Sequence, residues 1–325
     1  MRGIAAWTTY IVMQVLFVPM AIVGAVLTAY AEVFVSKKLG VSGTAAMIAD
    51  DRLAMSWFGL RSDQATVRLA RTLPNLPGTG LWLLLFPWWI RYKMCGKNVA
   101  PFVVPMLGEE SYANMIVART IYVDRIIQKA SGRAAQFVSL GAGYDTRSFG
   151  RLRAGGLQCF ELDQAATQRL KRSALQRAGI DTSHVHFVES AFQAGTWARD
   201  LVAAGYDASK PSIFLWEGVT AYLTEMDVRK TLRTLRSIAA PGSTLVCDFV
   251  SWSIVNGKYS GWARLSVMGA RITHEAMRFG VDFPQGSAGA LDGFLASEGL
   301  SAGDTYLLGS RTKRGTFLAV VEVKL

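Results

Sequence analysis

The sequence predicts an α/β fold: a doubly wound, mostly parallel sheet of seven strands with an apolar helix ahead of it. Three observations predict it. Short apolar strands alternate with amphipathic helices from about residue 105 to residue 250, the pattern of a parallel sheet covered on both faces. The first of these strands runs straight into a glycine turn, Phe137–Gly150, "FVSLGAGYDTRSFG". At the other end of the chain no side chain is charged from Gly3 to Ala31, and about 20 such residues suffice to cross a bilayer.

Taken in order, the N-terminal run comes first. Pro19 lies within it, and Ala29-Tyr30-Ala31 has the small-x-small form of a signal cleavage site. Signal h-regions, however, are about 7–15 residues long. Residues 1–36 are therefore expected to be a retained transmembrane anchor. A second uncharged run, Leu73–Ile90, is broken by Pro74, Pro77, Gly78, Gly80 and Pro87 and carries Trp82, Trp88 and Trp89. Basic residues flank it on both sides: Arg52, Arg61, Arg68 and Arg71 before, Arg91, Lys93 and Lys97 after. A span there would place two positive flanks in opposite compartments, against the positive-inside rule. Residues 37–104 are expected to be a basic linker whose 73–90 segment lies on, or re-enters, the membrane, with a second span and a buried core hairpin as the alternatives. Lys37 and Lys38, directly after the first run, predict a cytoplasmic position for the remainder of the chain, including the domain over 105–325.

The sheet domain is expected over 105–325. Met115, Ile116, Tyr122, Val123, Ile126 and Ile127 recur at helical spacing. Strands follow at 136–140, 157–163, 184–190, 212–218 and 243–250, with helices at 164–178, around 196–204 and from the Thr224 cap to Pro241. Two last strands at 304–309 and 314–323 read as an antiparallel hairpin. The irregular 251–300 stretch, with Trp252, Tyr259, Trp262 and Met268, is expected to cap a substrate site.

Composition excludes several classes. The 325 residues carry 35 basic and 24 acidic side chains, a net charge of +11, and a mean hydropathy of +0.24. Basic charge beside apolar runs suits an anionic membrane surface. Nucleic acid is not expected, because the aromatics sit in the apolar runs rather than between basic residues. Cys95, Cys159 and Cys247 are too few and too far apart for a disulfide framework, and His184, His186 and His274 form no metal-ligand pattern, so no metal site is expected.

The ligand site is expected where the sheet reverses order, at the carboxyl ends of its strands. Gly141 and Gly143 end the first strand, and Asp163 ends the second, 22 residues after Gly141. An acid at that distance is placed to accept hydrogen bonds from a ribose diol, so a nucleoside-containing ligand is expected. Thr146 stands where a dinucleotide fingerprint has its third glycine, which disfavours a pyrophosphate ligand such as NAD.

"FVSLGAGYDTRSF", "CFELDQ" and "FLWEGVTAYL", in this order and spacing, resemble the leucine carboxyl methyltransferase family of S-adenosylmethionine-dependent enzymes, over about residues 105–325. The resemblance implies a class I methyltransferase-like fold and S-adenosyl-L-methionine as cofactor. It implies that Arg119 pairs with the methionine carboxylate, Gly141 and Gly143 lie under the methionine part, Asp163 binds the ribose hydroxyls, and Glu217 faces the amino group or the sulfonium. Asp145 and Arg147 are expected to lock the turn. Where the family carries an acid near adenine, this sequence offers Glu189 followed by Ser190, which leaves the adenine contact open. Tyr222, His274 and Glu275 are candidates to relay a proton if the acceptor is a hydroxyl. The expected activity is O-methylation of a lipophilic carboxylic acid or alcohol at the membrane. A non-catalytic, membrane-anchored nucleoside sensor is the alternative, and the sequence does not specify an oligomeric state.

Overall fold

The computed structural model describes residues 2–96, 102–150, 152, 155–192, 195–272 and 275–325. Seven strands form one sheet: β1 Gln136–Leu140, β2 Gln158–Asp163, β3 Val185–Glu189, β4 Ser212–Trp216, β5 Thr244–Val250, β6 Ser301–Leu308 and β7 Leu318–Lys324. Their order is β3-β2-β1-β4-β5-β7-β6. The pairs from β3 to β5 are parallel, and β7 runs antiparallel to both β5 and β6. This is the expected class I methyltransferase-like sheet, and the closing hairpin is where the sequence placed it.

The chain begins with α1, Arg2–Tyr30, which continues through a π-helical turn, Ala31–Val35, into Ser36–Leu39. Among the described residues, Trp7–Leu39 is the one helix long and apolar enough to cross a membrane. Then come α2 Gly43–Trp57, α3 Gln64–Ala70 and α4 Gly78–Cys95, followed by α5 Met115–Ser131. The stretch expected to be a linker is thus largely helical. Leu53, Phe58, Leu69, Leu76 and Leu81 from it share one buried cluster with Val117, Tyr144, Ala174 and Leu175 of the sheet domain. The broken apolar run is α4, a helix with Pro87 inside it.

Helices α6 Ala165–Arg177, α7 Trp197–Ala203 and α8 Glu225–Ile238 connect successive strands. Thr224 caps α8, its hydroxyl accepting from the Asp227 amide at 3.2 Å. Both faces of the sheet are covered, with Val138, Phe160, Phe214 and Phe249 in one core and Phe137, Ile213, Val246 and Val320 in the other. Burial on both faces is what their near-continuous apolar strands require. After β5 come α9 Trp252–Val255, α10 Gly261–Ile272 and α11 Gly289–Ser297.

Candidate active site

Strand order reverses between β1 and β4, and the main cavity lies there, at the carboxyl ends of the strands, with a volume of about 500 Å³. Gly141 starts the turn after β1. Its amide and that of Ala142 both donate to the Leu162 carbonyl at 2.9 Å, which ties the turn to β2. Gly141 has φ +73°, and a Cβ there would lie 2.6 Å from Val219 Cγ2. Left-handed backbone and a filled neighbour both require glycine. Gly141→Ala is expected to cost about 2 kcal/mol or more, read as a lowered urea midpoint; an unchanged midpoint would show that the turn relaxes freely.

Asp163, the last residue of β2, sits across from this turn. Its carboxylate accepts from the Gly143 amide at 2.6 Å and the Gln164 amide at 2.7 Å. Enclosure pushes its pKa up, and those two donors oppose the rise. A carboxylate has about four acceptor positions, so capacity remains toward the cavity it lines. Gln164, Ser190, Ala191 and Phe192 continue that wall. Glu189 turns instead to Arg169, 3.3 Å away and exposed.

Glu217 follows β4 at the floor of the same cavity. Three guanidinium groups surround it: Arg147 at 2.7 Å, Arg52 at 3.0 Å and Arg119 at 3.1 Å. Arg52 also binds Asp145 at 2.8 Å, and Arg147 reaches Asp145 and, at 2.6 Å, Asp124. Burial alone would raise the Glu217 pKa, but Arg147, Arg52 and Arg119 together bring it down to about 2. Asp145 is likewise held well below the ordinary carboxylate range, burial being outweighed by Arg147 and Arg52. Asp145 and Arg147 therefore do lock the turn, the Arg147 amide donating to Asp145 at 2.7 Å, and Arg147 and Arg52 carry the network on to Glu217.

Arg119, from the first turns of α5, gives Nη1 to Asp248 at 3.0 Å. Its Nη2 is buried without a hydrogen-bond partner, although the residue lines the cavity. A buried guanidinium N–H left unpaired is costly, and an anionic group in the cavity would satisfy it.

Tyr222 also lines the cavity, its hydroxyl facing Thr44. Burial pushes its pKa up to about 12, so at neutral pH it is a hydrogen-bond donor and not a base. Glu275 accepts from Ser42 Oγ, from the Thr44 amide at 3.0 Å and from Thr44 Oγ1 at 2.6 Å. The carboxylate thereby ties the chain after α10 to the start of α2 over the cavity. His274 lies outside the described residues. His184 bonds the Ser148 carbonyl at 2.7 Å, and no metal-binding group of acids, histidines and cysteines occurs among the described residues.

A smaller cavity of about 170 Å³ adjoins the first and shares Thr44, Ile48, Arg119, Gly218 and Tyr222 with it. Met47, Met115, Ile116 and Met277 make it mainly apolar, with Glu32 and Val33 at one side and Ser266, Gly269 and Ala270 of α10 at another. The aromatics expected to line a substrate cap are placed differently. Tyr259 packs on Phe317 with centroids 5.2 Å apart, Trp252 packs toward Phe279, and Met268 is exposed. These rings serve the cap's own attachment, and small residues of α10 form the wall. The side chain of Trp262 lies outside the described residues.

Sequence reasoning missed Arg52, Ser42 and Thr44. The available signal was "DDR" at 50–52, three charges on a helix whose neighbours Ala46, Ala49, Leu53 and Ala54 are apolar and buried. A charged group on such a face has to find a partner inside.

Residues 105–236 match the leucine carboxyl methyltransferase family. A protein of Mycobacteroides abscessus is 32% identical over 139 residues, covering 42% of this chain and 46% of its own length. One of Streptomyces avermitilis is 29% identical over 206 residues, covering 60% and 65%. Both are provisionally named S-adenosyl-L-methionine-dependent methyltransferases. The chain thus spans about half to two thirds of the curated relatives it matches. Among solved structures, an O-methyltransferase family protein from Burkholderia thailandensis is 16% identical with a TM-score of 0.44, over 89% of this chain and 86% of its own.

Proposed function

We propose, with the leucine carboxyl methyltransferase family character of residues 105–236 as the premise, that the protein is an S-adenosylmethionine-dependent O-methyltransferase whose acceptor is a lipophilic carboxylic acid or alcohol drawn from a membrane. The observation that carries the reading is the convergence on one cavity of the Gly141 turn, the Asp163 carboxylate and the unpaired Nη2 of Arg119. These residues fit the cofactor. Asp163 has acceptor capacity for ribose hydroxyls, Arg119 has a free donor for a carboxylate, and Gln164 with Ser190–Phe192 closes the nucleoside end. When bound, S-adenosylmethionine supplies an electrophilic methyl group with a good leaving group.

The rest falls to this chain's residues. Arg147, Arg52 and Arg119 keep Glu217 ionised at neutral pH, which places a fixed negative charge at the cavity floor where a cationic ligand group is stabilised. The Glu275–Thr44–Ser42 clasp closes the cavity and excludes water. The apolar side cavity receives the acceptor, and Tyr222, between the two cavities, donates a hydrogen bond to orient the acceptor oxygen. A carboxylate acceptor needs no base. The methionine-lined wall beside Glu32 and Val33, which come directly after the apolar α1, supports a lipophilic acceptor.

Calorimetry of the detergent-solubilised protein with S-adenosylmethionine tests the cofactor, and transfer of labelled methyl to a membrane lipid extract tests the reaction. Absence of heat at high micromolar ligand would remove the reading, and binding without transfer would favour the sensor alternative. Asp163→Asn is expected to weaken cofactor binding about tenfold or more, the usual loss for a hydrogen bond to a charged group. Unchanged affinity would show that the ribose lies elsewhere.

A further inference from the structure

We infer that α1 does not cross the bilayer but lies in the plane of one leaflet, held there by α4, with anionic phospholipid as the surface it binds. This goes beyond the membrane part of the proposed function and does not depend on methyl transfer.

Helices α1 and α4 run antiparallel in close contact. A Cβ on Gly24 would lie 2.6 Å from the Gly80 carbonyl oxygen, so the backbones touch, as small residues permit between apolar helices. Further along, Phe17 meets Phe86 with centroids 5.0 Å apart and Tyr10 meets Trp88 at 6.4 Å. At the far end the Arg91 guanidinium lies 4.6 Å over the Trp7 ring. The contact therefore extends along most of α1.

The other side of α4 is not free. Leu81 is buried in the cluster that holds Leu53, Phe58, Tyr144 and Ala174, and Leu85, Trp88, Trp89 and Tyr92 pack against that cluster. The layer of α2, α3 and Phe102 thus packs on α4 along its length, at the levels of both ends of α1. If α1 stood across the bilayer, α2 and α3 with the loops between them would be carried into hydrocarbon, where irregular backbone has no water to satisfy it. A helix lying flat avoids this cost.

The outward face fits such a position. Ile4, Ile11, Val15, Ile22 and Val26 are 76%, 56%, 71%, 59% and 62% exposed, on a helix about 43 Å long at 1.5 Å per residue. Exposed lysines mark both ends of this strip: Lys37 and Lys38 beyond the end of α1, and Lys93 near the end of α4. Apolar face and basic ends together match an anionic headgroup layer. Glu32 and Val33, in the wall of the side cavity, then come to headgroup level, where a lipid-derived acceptor would be met.

Full-length protein carrying Cys95→Ser and one of Ile4→Cys, Val15→Cys or Val26→Cys, each labelled with an environment-sensitive dye, tests this in vesicles of phosphatidylcholine with phosphatidylglycerol. Cys159 and Cys247 are buried and stay in place. Depth is read with nitroxide lipids. The expected result is one shallow depth for all three labels, about 5–10 Å below the headgroups, all quenched by a reagent that cannot cross the membrane. Lys37→Gln with Lys38→Gln should weaken vesicle partitioning about 30-fold, from about 1 kcal/mol per lysine. A Val15 label at the bilayer centre, with Ile4 and Val26 in opposite leaflets, overturns the inference. So does failure to float with anionic vesicles, including the case in which α1 faces pair between copies in solution. Cofactor calorimetry on the same samples separates this outcome from failure of the methyltransferase reading.

Discussion

Replacing Glu217 by Ala is expected to lower stability by about 3–5 kcal/mol, the range for removing one partner of a buried ion network. The cause is what stays behind. Arg52, Arg119 and Arg147 have side chains only 5%, 6% and 3% exposed, and without Glu217 their charges face one another around an empty centre. Glu217→Gln keeps the shape and part of the hydrogen bonding and should lie between wild type and Ala. The effect is dependent on pH, and its sign follows from the folded-state pKa of about 2 against an ordinary 4.5. A depressed carboxylate contributes stability above its unfolded pKa and loses it as pH falls toward the folded value. Wild type should therefore lose this contribution between about pH 4.5 and pH 2, and Glu217→Ala should lack that part of the acid transition. Urea titrations of both proteins across this window are the measurement. Equal acid slopes would show that Glu217 is not held by the three arginines.

Arg119→Ala is expected to weaken S-adenosylmethionine binding about 100-fold, within the 2–5 kcal/mol range for truncating a buried charge partner. Among the described residues Arg119 is the one guanidinium that lines both cavities, and its unpaired Nη2 is the proposed seat of the cofactor carboxylate. Arg119→Lys retains the charge but not the planar fork, so it should recover only part of the affinity. Because the Ala variant also strips Asp248 of its cation, calorimetry has to be paired with a melting curve. Weak binding by a protein that melts normally identifies the carboxylate contact; normal affinity by the Ala variant would refute it.

The sheet was legible because its strands are short, continuously apolar and separated by turn residues. Gln136–Leu140 is found within the residues predicted, and the Thr224 cap is present. Gly141, Gly143, Asp163, Arg119, Glu217 and Tyr222 all meet at one cavity, since each stands at a strand end or on the helix beside it, where topology fixes position. The features that stayed hidden depend on contacts between distant segments. Asp124 illustrates this: nothing on its own helix marks its partners, Arg61 and Arg147, and Arg119, on the same helix, turns inward to Asp248. Helix α4 is a second case. Its prolines, glycines and tryptophans describe a membrane interface equally well as a helix wedged between α1 and a protein core, because both surroundings are apolar on one side.

The clasp from Ser42 and Thr44 to Glu275, with Arg52 on Glu217, has a practical consequence for anyone producing this protein. The family match begins at residue 105, and a shortened version started there would look like a complete soluble domain. It would lack one side of its ligand chamber, leave Glu217 short of one cation and uncover Val117 and Tyr144 to water. A version begun at Glu32 removes most of the apolar helix and keeps Glu32 and Val33 of the side cavity and Lys37 and Gly40 of the main one, so both stay walled.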